Sequence, residues 1–236
     1  DVVYNAADPV SHILIVNPKA LTIVSASASN KIYDATNTAT INGTLSGVIN
    51  SDAVVLVKSG TFSTSNAGNN IAVTPSCSLT GLKASNYSLT QPSGLTANIT
   101  PKYLSITSAS VSNKVYDGNN TATITGTLNG VIGSDNVVLN LSAAFSDKNI
   151  GNSKVVTSTS TLSGTSSSNY ALSQPTGLTA NITKADLNLT NITASNKVYD
   201  RTTTATVSGT PSLSGVKGTD DVNIAGTAVY SFASSS

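Results

Sequence analysis

Charged side chains are scarce in this sequence. Only 10% of its 236 residues are Asp, Glu, Lys or Arg, and 12 basic against 11 acidic residues leave a formal net charge of +1. Nucleic acids and anionic membrane surfaces are bound through clustered positive charge, so we expect neither as a partner. No apolar run approaches the roughly 20 residues that cross a bilayer as a helix, and we therefore expect no membrane insertion.

Residues that carry catalytic or metal-binding chemistry are equally few. Cys77 is the single cysteine and His12 the single histidine. A disulfide within the chain, a histidine-based catalytic triad and a multi-histidine metal site are therefore excluded. We expect no enzymatic activity, no cofactor, and a fold held together by core packing and sheet pairing alone.

The residues that are abundant alternate in character. Ser, Thr, Asn, Gly, Ala and Val dominate, and the 39% of hydrophobic residues alternate with polar ones, a pattern of half-buried strands rather than of disorder. A surface of hydroxyls and amides is common in secreted bacterial β-proteins, so we expect an extracellular or bacterial cell-surface location. The sequence begins at Asp1 without an initiator methionine, and we expect it to be part of a longer chain.

One motif occurs three times at a constant spacing. It reads SNKIYDATNTATI from Ser29, SNKVYDGNNTATI from Ser112 and SNKVYDRTTTATV from Ser195, so successive copies start 83 residues apart. This spacing predicts four segments: the tail of a preceding repeat in residues 1–20, whole repeats in 21–103 and 104–186, and the first half of a further, slightly divergent repeat in 187–236.

Each repeat has the pattern of a set of short strands. A period of 83 residues exceeds the roughly 20–50 residues of solenoids and propellers, and it is long enough for each repeat to own a core. Alternating runs such as LTIVSAS, NTATINGTL and GLTANIT are separated by turn-forming residues. Roughly six or seven short antiparallel strands per repeat predict an all-β chain of tandem Ig-like β-sandwich repeats. Because the segments between repeats are short and β-like, we expect an elongated, semi-rigid rod.

The opening motif places a tyrosine between a lysine and an aspartate. Successive strand residues face opposite sides, so we expect the lysine and the tyrosine on one face and the aspartate on the other. One interpretation is a structural corner in which the tyrosine packs and the aspartate caps the turn; the alternative is a ligand site. The lysines are also candidates for an isopeptide bond to an asparagine on a facing strand. The motif residues are Lys31, Tyr33, Asp34, Lys114, Tyr116, Asp117, Lys197, Tyr199 and Asp200.

A second repeated motif, NYxLxQPxGLTANIT, contains another tyrosine. Tyr87 and Tyr170 stand two residues before Leu89 and Leu172. In Ig-like sandwiches a tyrosine near the start of strand F bonds back to the preceding corner, two residues before an inward-facing core residue. We predict this tyrosine corner, with an ordinary edge tyrosine as the alternative.

Acidic residues lie mainly at the turns. Asp220 and Asp221 are adjacent, and they are weak candidates for calcium binding. Ca²⁺ takes about 6–8 oxygen ligands, which no dense aspartate pattern supplies. Turn capping is therefore the favoured interpretation, and no other metal site is expected.

The signatures NKxYDG…TATITG and NYxLxQPxGLTANIT resemble the YDG/MBG-type repeats of large bacterial surface and secreted adhesins, including filamentous-haemagglutinin-like and related repetitive exoproteins. The resemblance covers nearly the whole chain and is strongest in residues 21–186. The glycine of the YDG triplet is present only as Gly118, while Ala35 and Arg201 take its place in the other copies. The resemblance implies β-sandwich repeats, export across the envelope and a role in presenting an adhesive surface. It implies no reaction.

Two classes of function fit these patterns. The first is a non-catalytic stalk that extends a binding surface from the cell, with neighbouring repeats of the same chain as its partners. The second is a binding module whose threonine-rich strand faces grip a glycan, a host or abiotic surface, or ice; the candidate row is Thr121, Thr123, Thr125 and Thr127. A further alternative is head-to-tail assembly into a filament, in which residues 1–20 of one copy complete the open repeat of another.

Overall fold

The computed structural model describes residue 1, residue 3 and residues 15–226 and 228–233. The predicted tail in residues 1–20 lies largely outside the described residues, as does His12. Contacts divide the chain into two compact units: Asp1–Tyr103 with Ile132–Ser134 and Ser166–Ala171, and Leu104–Val131 with Asp135–Thr165 and Leu172–Ser236. The predicted repeat boundaries before residues 21, 104 and 187 stay predictions.

The first ten strands form three sheets. A three-stranded sheet has the order β4-β1-β9, a five-stranded sheet has the order β2-β10-β7-β6-β3, and β5 pairs with β8. A 3-10 turn at Ala84–Asn86 precedes β9. The strands are β1 (Lys19–Ala28), β2 (Lys31–Ile32), β3 (Thr38–Ala39), β4 (Ile41–Ser46), β5 (Val55–Val57), β6 (Gly60–Phe62), β7 (Gly68–Pro75), β8 (Ser78–Thr80), β9 (Tyr87–Thr90) and β10 (Thr96–Thr100).

The next ten strands repeat this plan, as their similar sequence requires. The orders are β14-β11-β19 and β12-β20-β17-β16-β13, and β15 pairs with β18. A second 3-10 turn, Ser167–Asn169, precedes β19. The strands are β11 (Lys102–Val111), β12 (Lys114–Val115), β13 (Thr121–Ala122), β14 (Ile124–Asn129), β15 (Val138–Asn140), β16 (Ala143–Phe145), β17 (Gly151–Ser158), β18 (Thr161–Ser163), β19 (Tyr170–Ser173) and β20 (Thr179–Thr183).

A third, smaller set of strands follows. β21 (Asn188–Thr190) pairs with β24 (Ser212–Ser214), and β22 (Thr193–Ala194) pairs with β23 (Val207–Ser208). Both pairs are antiparallel. They match the pairing of β11 with β14, because residues 185–194 align with residues 102–111 of the preceding repeat.

The strand pairings are mixed rather than purely antiparallel. β1 runs parallel to β9, with Leu21 opposite Leu89, and β2 runs parallel to β10. The expectation of antiparallel strands alone is therefore wrong, because side chains alternate in the same way in both kinds of pairing. The segment NTATINGTL, expected as one strand, is divided into β3 and β4, which belong to different sheets. A strand that passes from one sheet to the other makes such a corner in a sandwich.

The core lies between the two larger sheets of each set. In the second set it joins Ile124 of the three-stranded sheet to Phe145 and Ile182 of the five-stranded sheet. In the first set Leu21 of β1 and Ile99 of β10 are likewise fully buried. Two sheets that pack face to face are the pattern of a β-sandwich, so the predicted all-β fold is confirmed. Among the described residues no helix has the length and apolar character needed to cross a membrane.

A bulge shapes the first strand of each set. The register shifts after Val24 in β1 and after Thr107 in β11, where Ser25 and Ser108 have φ values of 52° and 53°. A Cβ on Gly126, opposite the second bulge, would lie 2.5 Å from Ile106 Cγ2. Glycine is therefore required at this close approach of two strands.

Candidate functional site

The repeated motif forms the same closed turn in all three copies. In each copy the aspartate Oδ1 accepts a hydrogen bond from the backbone N–H two residues later; the pairs are Asp34 with Thr36 (2.9 Å), Asp117 with Asn119 (3.1 Å) and Asp200 with Thr202 (3.0 Å). This arrangement is an Asx turn. The structure thus places the aspartate as a turn cap.

The residue after each aspartate has a left-handed backbone. Its φ is 63° at Ala35, 84° at Gly118 and 66° at Arg201. This conformation suits glycine and strains a residue with a Cβ atom. The turn thus forms with or without the glycine of the YDG triplet.

The lysine side chain of each copy also bonds the residues of this turn. Its Nζ lies 2.7 Å from the aspartate Oδ1 in every copy: Lys31 with Asp34, Lys114 with Asp117, and Lys197 with Asp200. It also donates to a backbone carbonyl two residues after the aspartate, at 2.7–2.8 Å. A phenylalanine ring centroid lies 5.6–5.9 Å away, within cation–π range; the rings are Phe62, Phe145 and Phe232.

This geometry corrects one expectation about the lysine and bears on a second. It meets the aspartate of its own motif instead of facing away from it, because β2 and β12 end one residue before the tyrosine and the chain then turns. The isopeptide hypothesis needs an asparagine on a facing strand. Asn119 Oδ1 lies 3.1 Å from Lys114 Nζ, but Asn119 belongs to the same turn, so the geometry does not favour that hypothesis.

The hydrogen bonds of the turn hold its aspartate ionised. The bond from Lys197, followed by that from the Thr202 N–H, lowers the pKa of Asp200 to about 2. The bond from Lys114 is the main cause that lowers the pKa of Asp117. Burial alone would raise the pKa of Asp34, but its bonds to the lysine and the turn outweigh that effect and the pKa falls.

Of the lysine, tyrosine and aspartate of the motif, only the tyrosine differs strongly in exposure between the copies. Tyr33 is 5% exposed, Tyr116 is half-buried and Tyr199 is 66% exposed. The backbone N–H groups of the first two donate to the carbonyls of Thr100 and Thr183, at 2.9 and 2.8 Å. These bonds fasten the motif to the last strand of its own repeat.

Tyr87 and Tyr170 direct their hydroxyls to a distant loop. Tyr87 Oη accepts from the Ile49 N–H (3.1 Å) and donates to Asp52 Oδ2 (2.7 Å), partners that lie 38 and 35 residues earlier. Tyr170 Oη accepts from the Ile132 N–H at 3.0 Å. The bond to Asp52 raises the pKa of Tyr87. The predicted tyrosine corner is therefore wrong in its partner, since the hydroxyl does not bond to the corner just before its strand.

In the first unit the motif tyrosine meets residues of the following repeat. The rings of Tyr33 and Tyr170 are edge to face, with centroids 5.3 Å apart and an interplanar angle of 78°. The buried Asn169 side chain accepts from the Ala67 N–H (2.8 Å) and donates to Asn66 Oδ1 (3.2 Å). An edge-to-face ring pair and a satisfied buried amide make this a specific contact.

In the second unit the motif tyrosine meets a loop of the third repeat. Tyr116 Oη donates to Asp220 Oδ2 (2.6 Å), and Lys148 Nζ lies 3.2 Å from Asp220 Oδ1. The bond to Asp220 raises the pKa of Tyr116, and the bonds from Tyr116 and then Lys148 lower the pKa of Asp220. An open cavity of about 200 Å³ lies beside these groups, and its apolar wall consists of Ile150, Leu187, Val216 and Val222.

The calcium candidates have other partners in this arrangement. Asp220 is bonded to a phenol and an ammonium group, and Asp221 Oδ1 accepts from Asn223 Nδ2 at 3.0 Å. The ammonium group of Lys148, 3.2 Å from Asp220 Oδ1, would repel a second cation at this carboxylate. In the part of the chain that the structure describes, no three acidic, cysteine or histidine side chains come together as a metal site requires.

Cys77 occupies a buried structural position. The side chain of Gln91 accepts from the Cys77 N–H (3.0 Å) and donates to the Cys77 carbonyl (2.7 Å). Ser160 takes the same place in the next repeat, where Gln174 donates to its carbonyl at 2.7 Å. A cysteine and a serine thus occupy matching buried positions in the two repeats.

The expected row of four threonines is divided. Only Thr125 and Thr127 lie together in β14, because the chain changes sheet before that strand begins. Their hydroxyls bond those of Ser110 and Thr107 on β11, at 2.8 and 2.9 Å. The exposed face therefore carries hydroxyl pairs across two strands rather than a single row.

Sequence reasoning missed the groups that the tyrosines contact. Asp52, which accepts from the Tyr87 hydroxyl, lies 35 residues before that tyrosine, and the sequence repeats this spacing at Asp135 and Tyr170. Asn169, which bonds Asn66 and Ala67, directly precedes Tyr170. Recurrence at a constant distance from each tyrosine is the signal that could have identified these residues.

Comparison with known proteins finds one family. The model of the YDG domain matches residues 17–94, 100–177 and 183–236. Comparison with curated proteins and with solved structures found no match. Because the three successive matches cover well over half of the chain, the chain belongs to the YDG domain family.

Proposed function

We propose that this chain is a non-catalytic stalk segment of a bacterial surface adhesin or secreted fibre, whose successive YDG repeats carry a binding surface away from the cell. The observation that carries the proposal is the use of the motif itself. Lys114 and Asp117 bond each other within their turn, and Tyr116 bonds Asp220 of the following repeat. The residues of the repeated motif thus stabilise a turn within one repeat and bond the following repeat.

The composition supports a location outside the cell. With 12 basic and 11 acidic residues in 236, the surface depends on hydroxyls and amides for its solubility. Some of these hydroxyls bond one another across strands, as Thr107 and Thr127 do at 2.9 Å. The test of location is protease treatment of intact cells that express the natural protein, with release of YDG peptides expected. Peptides released only after lysis would contradict the location.

The stalk role is tested by stretching the whole chain from its two ends in a force spectrometer. We expect discrete unfolding events, each releasing about 300 Å of extended chain, the length of 83 residues at about 3.6 Å each. Phe145→Ala, which removes a buried core ring, is expected to eliminate one event and leave the first repeat's event in place. Smooth extension of the unmodified chain without force peaks would contradict a load-bearing stalk.

A second candidate function is binding through the hydroxyl face of β11 and β14. The exposed pairs Thr107–Thr127 and Ser110–Thr125 favour it. A glycan array with the whole chain is the test, and Thr127→Ala is the variant. Thr44→Ala, at the matching position of β4, is the control. Saturable binding that Thr127→Ala removes and Thr44→Ala retains would favour this candidate over a pure stalk. Head-to-tail assembly through residues 1–20 stays a prediction.

A further inference from the structure

Two asparagines of this chain directly precede a glycine: Asn42 in the first repeat and Asn129 in the second. Such a pair can react with itself, because glycine has no Cβ to hinder the approach of its nitrogen to the asparagine side-chain carbonyl. The two pairs stand at different positions of the repeat. Serine takes both places that match Asn129, at Ser46 and Ser214, so only the second repeat carries this pair at the end of its strand.

The first pair is held inside strand β4. The Asn42 side-chain Nδ2 donates to Ser29 Oγ at 2.9 Å. A Cβ atom on Gly43 would lie 2.5 Å from Ile23 Cγ2, so the neighbouring strand leaves this backbone little room. Rotation of the Asn42 carbonyl onto the Gly43 nitrogen would therefore break a hydrogen bond and open the pairing of β4 with β1.

The second pair lies where a strand ends. Asn129 is the last residue of β14, and Gly130 follows outside the strand with a φ of 102°. The Asn129 side chain is exposed, and the part of the chain that the structure describes gives it no hydrogen-bond partner. The side-chain carbonyl of Asn129 can therefore meet the Gly130 nitrogen without the loss of a side-chain bond.

A related pair, Asp117 and Gly118, is protected by the turn of the YDG motif. An aspartate undergoes the same reaction only when its carboxyl group is protonated, because that group must lose its hydroxyl as water. Asp117 Oδ1 accepts from Lys114 Nζ at 2.7 Å and from the Asn119 N–H at 3.1 Å. The bond from Lys114 lowers the pKa of Asp117, so the carboxylate stays ionised and bound within its turn.

We infer that Asn129 is a site of spontaneous deamidation. The Gly130 nitrogen attacks Asn129 Cγ and forms a new C–N bond, while the bond from Cγ to Nδ2 breaks. The side-chain nitrogen leaves as ammonia with the proton of the Gly130 amide. Water then opens the cyclic imide at either carbonyl and gives aspartate or isoaspartate. Both products add a negative charge, and isoaspartate also adds a methylene group to the main chain.

The modified residue lies close in sequence to a contact of the following loop. The Ile132 N–H, three residues after Asn129, donates to Tyr170 Oη at 3.0 Å. A longer main chain before Ile132 displaces this donor, so isoaspartate loosens the loop. Ammonia is lost to solvent, and the modified fraction therefore increases with the age of the chain. The inference does not depend on the proposed stalk function, since it concerns only the chemistry of one repeat.

The experiment keeps the whole folded chain at mildly alkaline pH in ¹⁸O-labelled water and follows each asparagine by peptide mapping. We expect labelled aspartate and isoaspartate at Asn129. Their formation is expected to be about tenfold faster than at Asn42, where reaction needs the loss of a hydrogen bond of about 1 kcal/mol and local opening of β4. In concentrated urea, where neither pair is folded, the two rates are expected to be equal.

Variants assign the modification to its site and test its effect. Asn129→Ser introduces the residue of the two matching positions and is expected to remove most of the isoaspartate of the aged chain, whereas Asn42→Ser is expected to leave it unchanged. Asn129→Asp has the new charge without the additional methylene group. Hydrogen exchange of the Ile132 amide is expected to be faster in the aged chain than in Asn129→Asp.

Three results would count against the inference. Equal rates at Asn42 and Asn129 in the folded chain would overturn it, because the structure would then not distinguish the two pairs. An unmodified Asn129 after a time that converts it completely in urea would overturn it as well. Equal exchange of the Ile132 amide in the aged chain and in Asn129→Asp would refute the effect on the loop.

Discussion

Replacement of Lys114 by methionine tests the closed turn of the YDG motif directly. Lys114 Nζ lies 2.7 Å from Asp117 Oδ1, donates to the carbonyls of Asn119 (2.8 Å) and Thr121 (3.0 Å), and lies 5.7 Å from the ring centroid of Phe145. Methionine keeps an apolar stem over the ring but has no donor. The variant therefore removes the polar contacts while most of the packing remains.

The magnitude follows from the exposure of the two partners. The ion pair contributes only about 0–1 kcal/mol, because the Asp117 side chain is 45% exposed. The two carbonyl bonds come from a charged donor, and we take about 1.5 kcal/mol for each, the lower end of the range for such bonds. Water replaces part of this contribution in the variant, because the Lys114 side chain is already 16% exposed. We expect the free energy of unfolding of the second repeat to fall by about 2–3 kcal/mol. With a urea m-value of about 1–1.5 kcal/mol/M, the midpoint falls by about 2 M.

The assay is hydrogen exchange of the whole chain in increasing urea, which resolves the repeats separately. Amides of β14 and β17 report on the second repeat, and those of β4 and β7 serve as the internal reference. Lys83→Met, at an exposed lysine, controls for the loss of one charge. A loss no larger than that of Lys83→Met would refute the reasoning, because it would show that the turn does not depend on its lysine.

Acid, core truncation and the loss of one hydroxyl each test a different contact. The pKa of Asp200 is about 2 in the folded turn, below the ~3.9 of an unfolded aspartate. The contribution of Asp200 to the free energy of unfolding is thus complete above about pH 4 and lost as the pH falls through 2. Urea unfolding at a series of pH values should show this decline, and a constant free energy of unfolding would contradict it. Phe145→Ala is expected to cost about 3–5 kcal/mol, and Phe232→Ala, at a half-buried ring, much less; equal losses in thermal melts would be inconsistent with their burial. Tyr116→Phe keeps the ring but loses the bond to the third repeat, so faster amide exchange in Gly215–Val222 is expected, and unchanged exchange would show that the bond does not hold this loop.

The strands of the fold could be predicted from alternation, but their partners could not. The side-chain period of a strand is 2 whichever way its neighbour runs, so the pattern contains no information on the parallel pairing of β1 with β9. The sequence pattern also does not indicate that the chain changes sheet between β3 and β4. Ala39 and Ile41 are both buried, as they would be in one continuous strand.

The candidate site was predictable where its contacts are local. An Asx turn depends on an aspartate and the amide two residues later, so the capping role of Asp117 could be inferred from its position. The bond from Lys114 to Asp117 spans only three residues, yet it depends on the turn after β12, which alternation does not reveal. The contact between Tyr33 and Tyr170 joins different repeats, and only the three-dimensional structure could reveal it.

Different residues of the motif stabilise the repeat itself and its contact with the next repeat. The lysine–aspartate distance is 2.7 Å in every copy, so the turn closes in the same way in all three repeats. The tyrosines differ: Tyr33 meets Tyr170 and Tyr116 meets Asp220, both partners from the following repeat, whereas Tyr199 is 66% exposed. In tandem arrays stability is approximately a sum of intrinsic terms and nearest-neighbour terms. The lysine–aspartate ion pair contributes to the intrinsic stability of a repeat. The tyrosine contributes to the contact between neighbouring repeats, so one short motif stabilises both.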